Sequence, residues 1–557
     1  MATEDLTSNG RFDLTAFEMD LLDTKIMPSG RDRENNDVPG PCRSNPYLKP
    51  ACFPVIMVLI FVLMVLLFPY INEDFFIAPD GPWVNSGICD QKCSASLVES
   101  IPEHMDYPHG PKHVSTYEGW KYLINSSSSS IDLAAFYWDL RGKDLFPDPS
   151  DYQGEDIFNR LKDIGKSVKI RIAQNQPGKN ESLDSQILAQ QNLAEVRNLN
   201  MSHWFGGGVV HTKLWIVDDR DFYLGSANMD WRSLTQVKEM GILVKNCSCL
   251  TLDIKKVFKV YWLMGEPKAR IPKLWTVRYK TKFNSEHPLQ VHLNGIKSLV
   301  YFTSSPAAFA VPKRETDVDA IVKIISTAQK FVNIAVMDYS PSTLYTKPQR
   351  YWPIIDDAIK AAAYDHGVHV KLLCSKWNHT HPLMMGFLQT LVAFNSVLKG
   401  RGSIEVKLFE VPADTKEQKI PFARVNHNKY MVTDSTAYIG TSNWSGDYFI
   451  DTAGTAIVIR QSVNWTFPDN SADNFPNGES LPDGSVGRSI LEQLTDVFKR
   501  DWESDYAFPL FHYEGKRSLR KFYGRLNYQR ERERKSGKLN SRGKYRNGWA
   551  WKRVEPY

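Results

Sequence analysis

The pattern H-x-K-x-x-x-x-D occurs twice in this chain, 216 positions apart, and each copy is followed by G-x-x-N. The first copy supplies His211, Lys213, Asp218, Gly225 and Asn228; the second supplies His427, Lys429, Asp434, Gly440 and Asn443. One such string is weak information. Two in matching surroundings constrain the chain to build the same unit twice and to bring two histidines, two lysines and two asparagines to one place.

The surroundings repeat as well. Ile131–Asp139 and Val168–Gln174 precede the first motif, and Val332–Asp338 and Val368–Cys374 precede the second. All four are short, β-branched or aromatic runs of strand length. Lys213–Val217 and Lys429–Thr433 read as strands. Phe222–Leu224 and Ala437–Ile439 pair with them across tight acidic turns. Segments such as Ile321–Lys330 and Ile354–Tyr364 repeat apolar residues at three and four positions and read as helices. The expected class is therefore α/β: two homologous α/β/α sandwich halves packed as one pseudo-two-fold unit. The expected divisions are 72–285 and 286–510, and 557 residues suffice for two such cores.

Ala51–Ile71 is a 21-residue apolar run, long enough at 1.5 Å per residue to cross about 30 Å of hydrocarbon. Some 50 polar residues precede it, which excludes a cleaved signal peptide. Arg31, Arg33, Arg43 and Lys49 lie before the run, and the next basic residue after it is Lys92. The positive-inside rule then predicts a single-pass type II protein with residues 1–50 cytosolic, 51–71 spanning the membrane and everything after residue 72 in the lumen or outside. Cys89, Cys93, Cys247, Cys249 and Cys374 would then sit in an oxidising compartment. The pairs Cys89/Cys93 and Cys247/Cys249 match zinc ligands by count, but their unequal spacings favour two disulfides. Sequons at Asn125, Asn180, Asn200, Asn246, Asn378 and Asn464 are glycosylation candidates; the one at Asn443 belongs to the motif.

The formal charge of +5 conceals a strongly basic end: Lys516–Tyr557 carries 15 Lys/Arg against 3 Glu. Residues 511–557 read as a solvated extension, with a polyanion-binding arm as the alternative.

The motif residues suit phosphodiester chemistry. One imidazole can attack phosphorus and the other can protonate the departing alcohol and later activate water. Lys213 and Lys429, with Asn228 and Asn443, would hold the phosphate oxygens, so no metal or cofactor is called for. Asp218 and Asp434 read as structural supports that accept hydrogen bonds at the turns. His104, His109, His113, His366, His369 and His381 lack comparable context. Gly206–Gly208 could let a ligand approach the backbone or could be a flexible loop. Trp204, Trp231, Trp377, Phe409 and Trp444 could stack bases, line an acyl groove or be core.

These motifs are the signature of the phospholipase D superfamily. The longer strings Gly225–Glu239, Val425–Thr433 and Tyr438–Gly446 resemble the animal endolysosomal phospholipase-D-like 5′-exonucleases. The resemblance runs from the apolar run to about Asp505. It implies a 5′-to-3′ exonuclease degrading single-stranded DNA and RNA, lumenal in the endoplasmic reticulum, Golgi and endolysosome. It also implies a homodimer, proteolytic release of the lumenal part, and two disulfides among Cys89, Cys249, Cys93 and Cys247. By analogy His211 is the nucleophile and His427 the acid/base. A third family disulfide has no counterpart, since no Cys follows Cys374, which is left as a free thiol or an intermolecular partner. The competing expectation is a phospholipase or transphosphatidylase acting on glycerophospholipids such as phosphatidylglycerol.

Overall fold

The structure, a computed structural model, describes residues 57–63, 86–178, 183–462 and 488–513. Residues 1–50, the basic end after 513, Asn180 and Asn464 lie outside the described residues. Of the apolar run, Met57 to Leu63 are described and are helical. No helix among the described residues is long and apolar enough to cross a membrane. Residues 1–69 and 70–557 form separate units, and both motifs lie in the second.

Seven strands of each half follow the same order with the same sense at each pairing, and the second half adds Ala507–Pro509 antiparallel at its edge. In the first, Glu195–Leu199, Lys169–Asn175 and Ser130–Ala135 run parallel. Leu214–Val217, Asp221–Gly225, Glu239–Lys245 and Ile88–Ser100 then continue antiparallel. In the second, Ser403–Phe409, His369–Ser375 and Phe331–Val336 are parallel. Lys429–Thr433, Thr436–Gly440, Ala456–Gln461 and Ile296–Ser304 come next and are antiparallel. Even the two-residue parallel pairs recur: Trp138–Asp139 with Met229–Asp230, and Tyr339–Ser340 with Trp444–Ser445. The central parallel strands Ser130–Ala135 and Phe331–Val336 are the more deeply buried, whereas the outer strands Glu195–Leu199 and Ser403–Phe409 keep exposed Glu and half-buried Arg or Lys positions.

The first helix of each half begins the same way. Ser115 caps Thr116–Ser126 by accepting from the Glu118 amide, and Thr316 caps Asp317–Thr327 by accepting from Asp319. The lower part of Ile88–Ser100 pairs with Leu289–Leu293 and so joins both sheets into one hydrogen-bonded 18-stranded surface.

Apolar residues of both sheets merge into one cluster, with Phe222 and Phe302 in contact at 5.7 Å, rather than two separate cores. A second cluster around Trp120, Trp215 and Tyr223 fills the outer side of the first sheet. Buried ion pairs cross between the halves: Arg314 to Asp253 at 2.6 Å, Arg500 to Glu99 at 2.7 Å, and Lys238 to Asp501 at 2.7 Å. Breaking one partner of such a pair leaves an uncompensated buried charge, so these contacts fix how the halves meet.

Among the described residues the disulfides are Cys89–Cys249 and Cys93–Cys247. They tie the first strand of the unit to the start of the helix Ser248–Met264, closing loops of about 160 residues. Cys374 is a free thiol and fully buried, so it is closed to an intermolecular bond. Asn125, Asn200, Asn246 and Asn378 are exposed, whereas Asn443 is buried.

Candidate active site

Each motif enters the site through a pairing with the opposite half. The His211 amide donates to Ala453 O at 2.8 Å, and the Ala453 amide donates to Val209 O at 2.9 Å. In mirror fashion the His427 amide donates to Lys238 O at 2.8 Å, and the Lys238 amide donates to Val425 O at 3.0 Å. Lys238 and Ala453 each lie ten residues after the motif asparagine of their own half. Each half therefore uses the same position to clamp the other half's histidine. Gly208 serves this crossing. It has φ +81°, and a Cβ there would stand 1.9 Å from Asp451 O, so the glycine admits the opposite backbone rather than a ligand.

The imidazoles face one another with ring centroids 6.4 Å apart. Both line a cavity of about 720 Å³, together with Asn228, Asn443, Glu239, Asp338, Tyr137 and Tyr448. Their Nδ1 atoms have different partners. His211 Nδ1 meets the Thr441 carbonyl at 2.7 Å, whereas His427 Nδ1 meets the Glu239 carboxylate at 2.8 Å. Glu239 is also held by the Ser226 hydroxyl at 2.5 Å. The corresponding position of the second half is Gly454, where even a Cβ would stand 2.3 Å from Ser442 Oγ. No carboxylate fits there, so His211 has the Thr441 carbonyl alone, whereas His427 has Glu239 besides the backbone of Ser226, which corresponds to Thr441.

Lys213 and Lys429 are buried and fold back on their own histidines, donating to His211 O at 2.6 Å and His427 O at 2.7 Å. Asn443 donates to Tyr448 OH at 3.1 Å, and Asn228 sits 3.5 Å from Tyr137 OH. Asp218 and Asp434 stand at the far end of the motif strands. Asp218 accepts from the amides of Ser128, Ser129 and Ser130 and from the Ser128 hydroxyl, all at 2.7–2.8 Å. Asp434 accepts from the amides of Gln329 and Lys330 at 2.9–3.0 Å. Both staple the start of the neighbouring strand and take no part in the cavity.

The cavity floor is buried, and burial works against charge on its acids and its bases alike. Desolvation, then the neighbouring lysines, holds both imidazoles well below the ordinary histidine value. Burial drives Lys429 down to about 7, with Glu239 and Asp338 opposing it, and pushes Lys213 well down. Burial likewise raises Glu239 to about 7 and Asp338 to about 6. An arriving phosphodiester would return to these ammonium groups the counter-charge that water supplies elsewhere.

Sequence reasoning left out Glu239, Asp338, Tyr137 and Tyr448. Glu239 ends one of the resemblance strings but contacts a histidine 188 positions away, and nothing local marks that. Of the five aromatic candidates, Trp377 lines the cavity. Trp231, Phe409 and Trp444 are fully buried core. Trp204 packs on Phe309 and donates to Ala269 O, outside the cavity.

A duplicated α/β frame with two such motifs converging on one cavity defines a phosphodiesterase of the phospholipase D superfamily. A family model described as "PLD3/4, PLD-like domain" matches residues 108–414, and the chain belongs to that family. It is 45% identical over 424 residues to the 5′-3′ exonuclease PLD3 of Xenopus tropicalis, spanning 75% of this chain and 81% of that protein. The human 5′-3′ exonuclease PLD3 is 42% identical over 434 residues, 77% of this chain and 83% of that one. A probable phospholipase D of Caenorhabditis elegans is 38% identical over 525 residues, 90% of this chain and 88% of that one.

Proposed function

We propose that this protein is a metal-independent 5′-to-3′ exonuclease acting on single-stranded DNA and RNA through a phosphohistidine. Residues 51–71 would anchor it as a type II membrane protein with the site lumenal, and two copies would pair. The observation that carries the chemistry is the facing pair of imidazoles with unlike Nδ1 partners. A carbonyl can only accept, so the proton of neutral His211 sits on Nδ1 and its Nε2 lone pair is free to attack phosphorus. Burial keeps Glu239 an acid up to about 7, and its proton passes along the 2.8 Å bond to Nδ1 of His427, giving the imidazolium that must protonate the departing alcohol. After that transfer His427 is neutral and takes a proton from water, which attacks the phosphohistidine. This expels His211 and restores the imidazolium. Lys213, Lys429, Asn228 and Asn443 hold the phosphate oxygens.

The two relatives named as exonucleases favour nucleic acid. The C. elegans relative, named as a probable phospholipase D and similar over more of the chain, favours lipid as the second reading. The deciding experiment incubates the purified protein with 5′- and 3′-end-labelled single strands and with phosphatidylglycerol vesicles from pH 4.5 to 7.5. Stepwise shortening from the 5′ end without lipid turnover is expected. Lipid turnover without shortening overturns the nuclease reading.

A further inference from the structure

Phe422 combines two features that folding alone does not explain. Its ring is 60% exposed, and its backbone has φ +57°, a left-handed conformation that a bulky residue rarely adopts. A largely exposed side chain gains little from burial, so the ring's own packing contributes little against the strained backbone.

The conformation is imposed from both sides. Arg232 of the first half donates to Pro421 O at 3.0 Å. Arg424 donates its amide to Gln236 O at 3.1 Å and its guanidinium to Glu103 O at 2.9 Å and Pro412 O at 2.8 Å. The segment so gripped runs on to His427 five residues later. It sets the ring at the mouth of the cavity that holds both motif histidines.

One face of the ring lies on His379, with centroids 4.9 Å apart and planes 22° from parallel. His379, itself exposed, meets Trp377 edge-on at 4.8 Å. The outer face of Phe422 is thus the open end of an aromatic stack that lines the same cavity as His211 and His427. A flat, open ring face fits a planar partner, and aromatic side chains of this kind take successive bases of a single strand regardless of sequence.

We propose that Phe422, backed by His379 and Trp377, is the stacking platform for a nucleobase just downstream of the scissile phosphate. This deepens the nucleic-acid reading and rests on it.

Glycine adopts φ +57° without strain, so Phe422→Gly removes the ring and relieves the backbone together. With a single-stranded 12-mer, Phe422→Gly should raise KM at least about fivefold while kcat changes little and the Tm holds or rises. Phe422→Trp should restore the KM. On a 12-mer made abasic at its second and third nucleotides, wild type and Phe422→Gly should have equal KM. An unchanged KM on the ordinary strand overturns the platform. So does a KM rise that persists on the abasic strand, or a fallen Tm with no rescue by tryptophan. Should the wild type leave every oligonucleotide intact while hydrolysing phosphatidylglycerol, the nucleic-acid reading itself is lost and the platform with it.

Discussion

The two halves share a strand order, a clamp position and a motif, yet one histidine rests on a carbonyl and the other on a carboxylate. The difference comes down to Glu239 against Gly454, positions that correspond in the repeat. Around them the walls differ too. Tyr137 of the first half corresponds to Asp338 of the second; the phenol donates to Asp230 at 2.7 Å, while the acid lies 3.4 Å from Asn443. A duplicated frame supplies two imidazoles at a fixed separation, and the unlike supports divide the labour between them. Two equal histidines would compete for one role; one poised neutral and one backed by a carboxylate can do both steps of the reaction.

The strongest attempt to break this comparison replaces each histidine by asparagine. Each change should cost at least about 10³-fold in kcat, but the two mutants should differ in what they accumulate. With a substrate whose leaving group needs no proton, His427→Asn should trap phosphate on His211, seen as a mass increase on the peptide carrying that residue. A trapped adduct on His427 in the His211→Asn protein reverses the assignment. Glu239→Gln comes next. It keeps the shape but removes the acid, raised to about 7 by burial, that exchanges its proton with His427, so kcat should fall about 10²-fold, with the loss in chemistry rather than in KM. A protein indifferent to this change would mean that the asymmetry of the Nδ1 partners has no catalytic meaning.

Asp338 sharpens the comparison through pH. Burial raises its acid to about 6, so it is neutral below that value and an anion beside the phosphate above it. Activity should therefore fall as pH rises through about 6. Lys429, pulled down to about 7, loses its charge slightly later in the same direction. Asp338→Asn should match the wild type at pH 5 within about threefold and exceed it several-fold at pH 7.5. Activity should also persist well below the ordinary histidine value, because His211 stays neutral there.

The strands and motifs were legible because they are local. Apolar runs such as Val332–Val336 and Val370–Leu373 announce themselves, as does H-x-K. The Glu239–His427 bond, the clamp at Lys238 and Ala453, and the strained Phe422 were not legible, since each depends on residues hundreds of positions apart meeting at the seam. Gly206–Gly208 shows the limit well. Its composition allowed close approach, but a glycine run does not say whether a ligand or another backbone arrives, and here Asp451 does. The lysines meet the same limit. Two-residue spacing points them along the histidines' face, but it does not show that each ammonium also donates to its own histidine's carbonyl.

Gly208→Ala attacks the seam directly. Its φ of +81° and the approach of Asp451 O to 1.9 Å from an added Cβ should cost about 3 kcal/mol, read by denaturant unfolding. Gly206, at φ +75° with nothing within 4 Å of such a Cβ, should lose about 1 kcal/mol on the same change. Equal penalties at the two glycines would mean that the crossing at Asp451 contributes nothing to stability.

The smallest expected effect separates the two motif aspartates, because the hairpins carrying them differ by one residue. Three residues, Asp218 to Arg220, link the first pair of strands, and two, Asp434 and Ser435, link the second. This is why the histidines lie 216 positions apart and the asparagines 215. The extra residue leaves Asp218 at φ +51°, which aspartate tolerates better than alanine. Asp218→Ala should lose about 2 kcal/mol and Asp434→Ala about 1 kcal/mol. Burial alone would raise the Asp218 acid, but the Ser130 and Ser128 amides outweigh it and hold the carboxyl below its usual range. A carboxylate so depressed contributes fully above the ordinary aspartate value of about 3.9 and loses its contribution as pH falls further. The Asp218→Ala penalty should therefore be the same at pH 7 and pH 5 and shrink below about pH 3. A penalty already halved at pH 5 would mean that those amides do not hold the carboxylate as the strand arrangement requires.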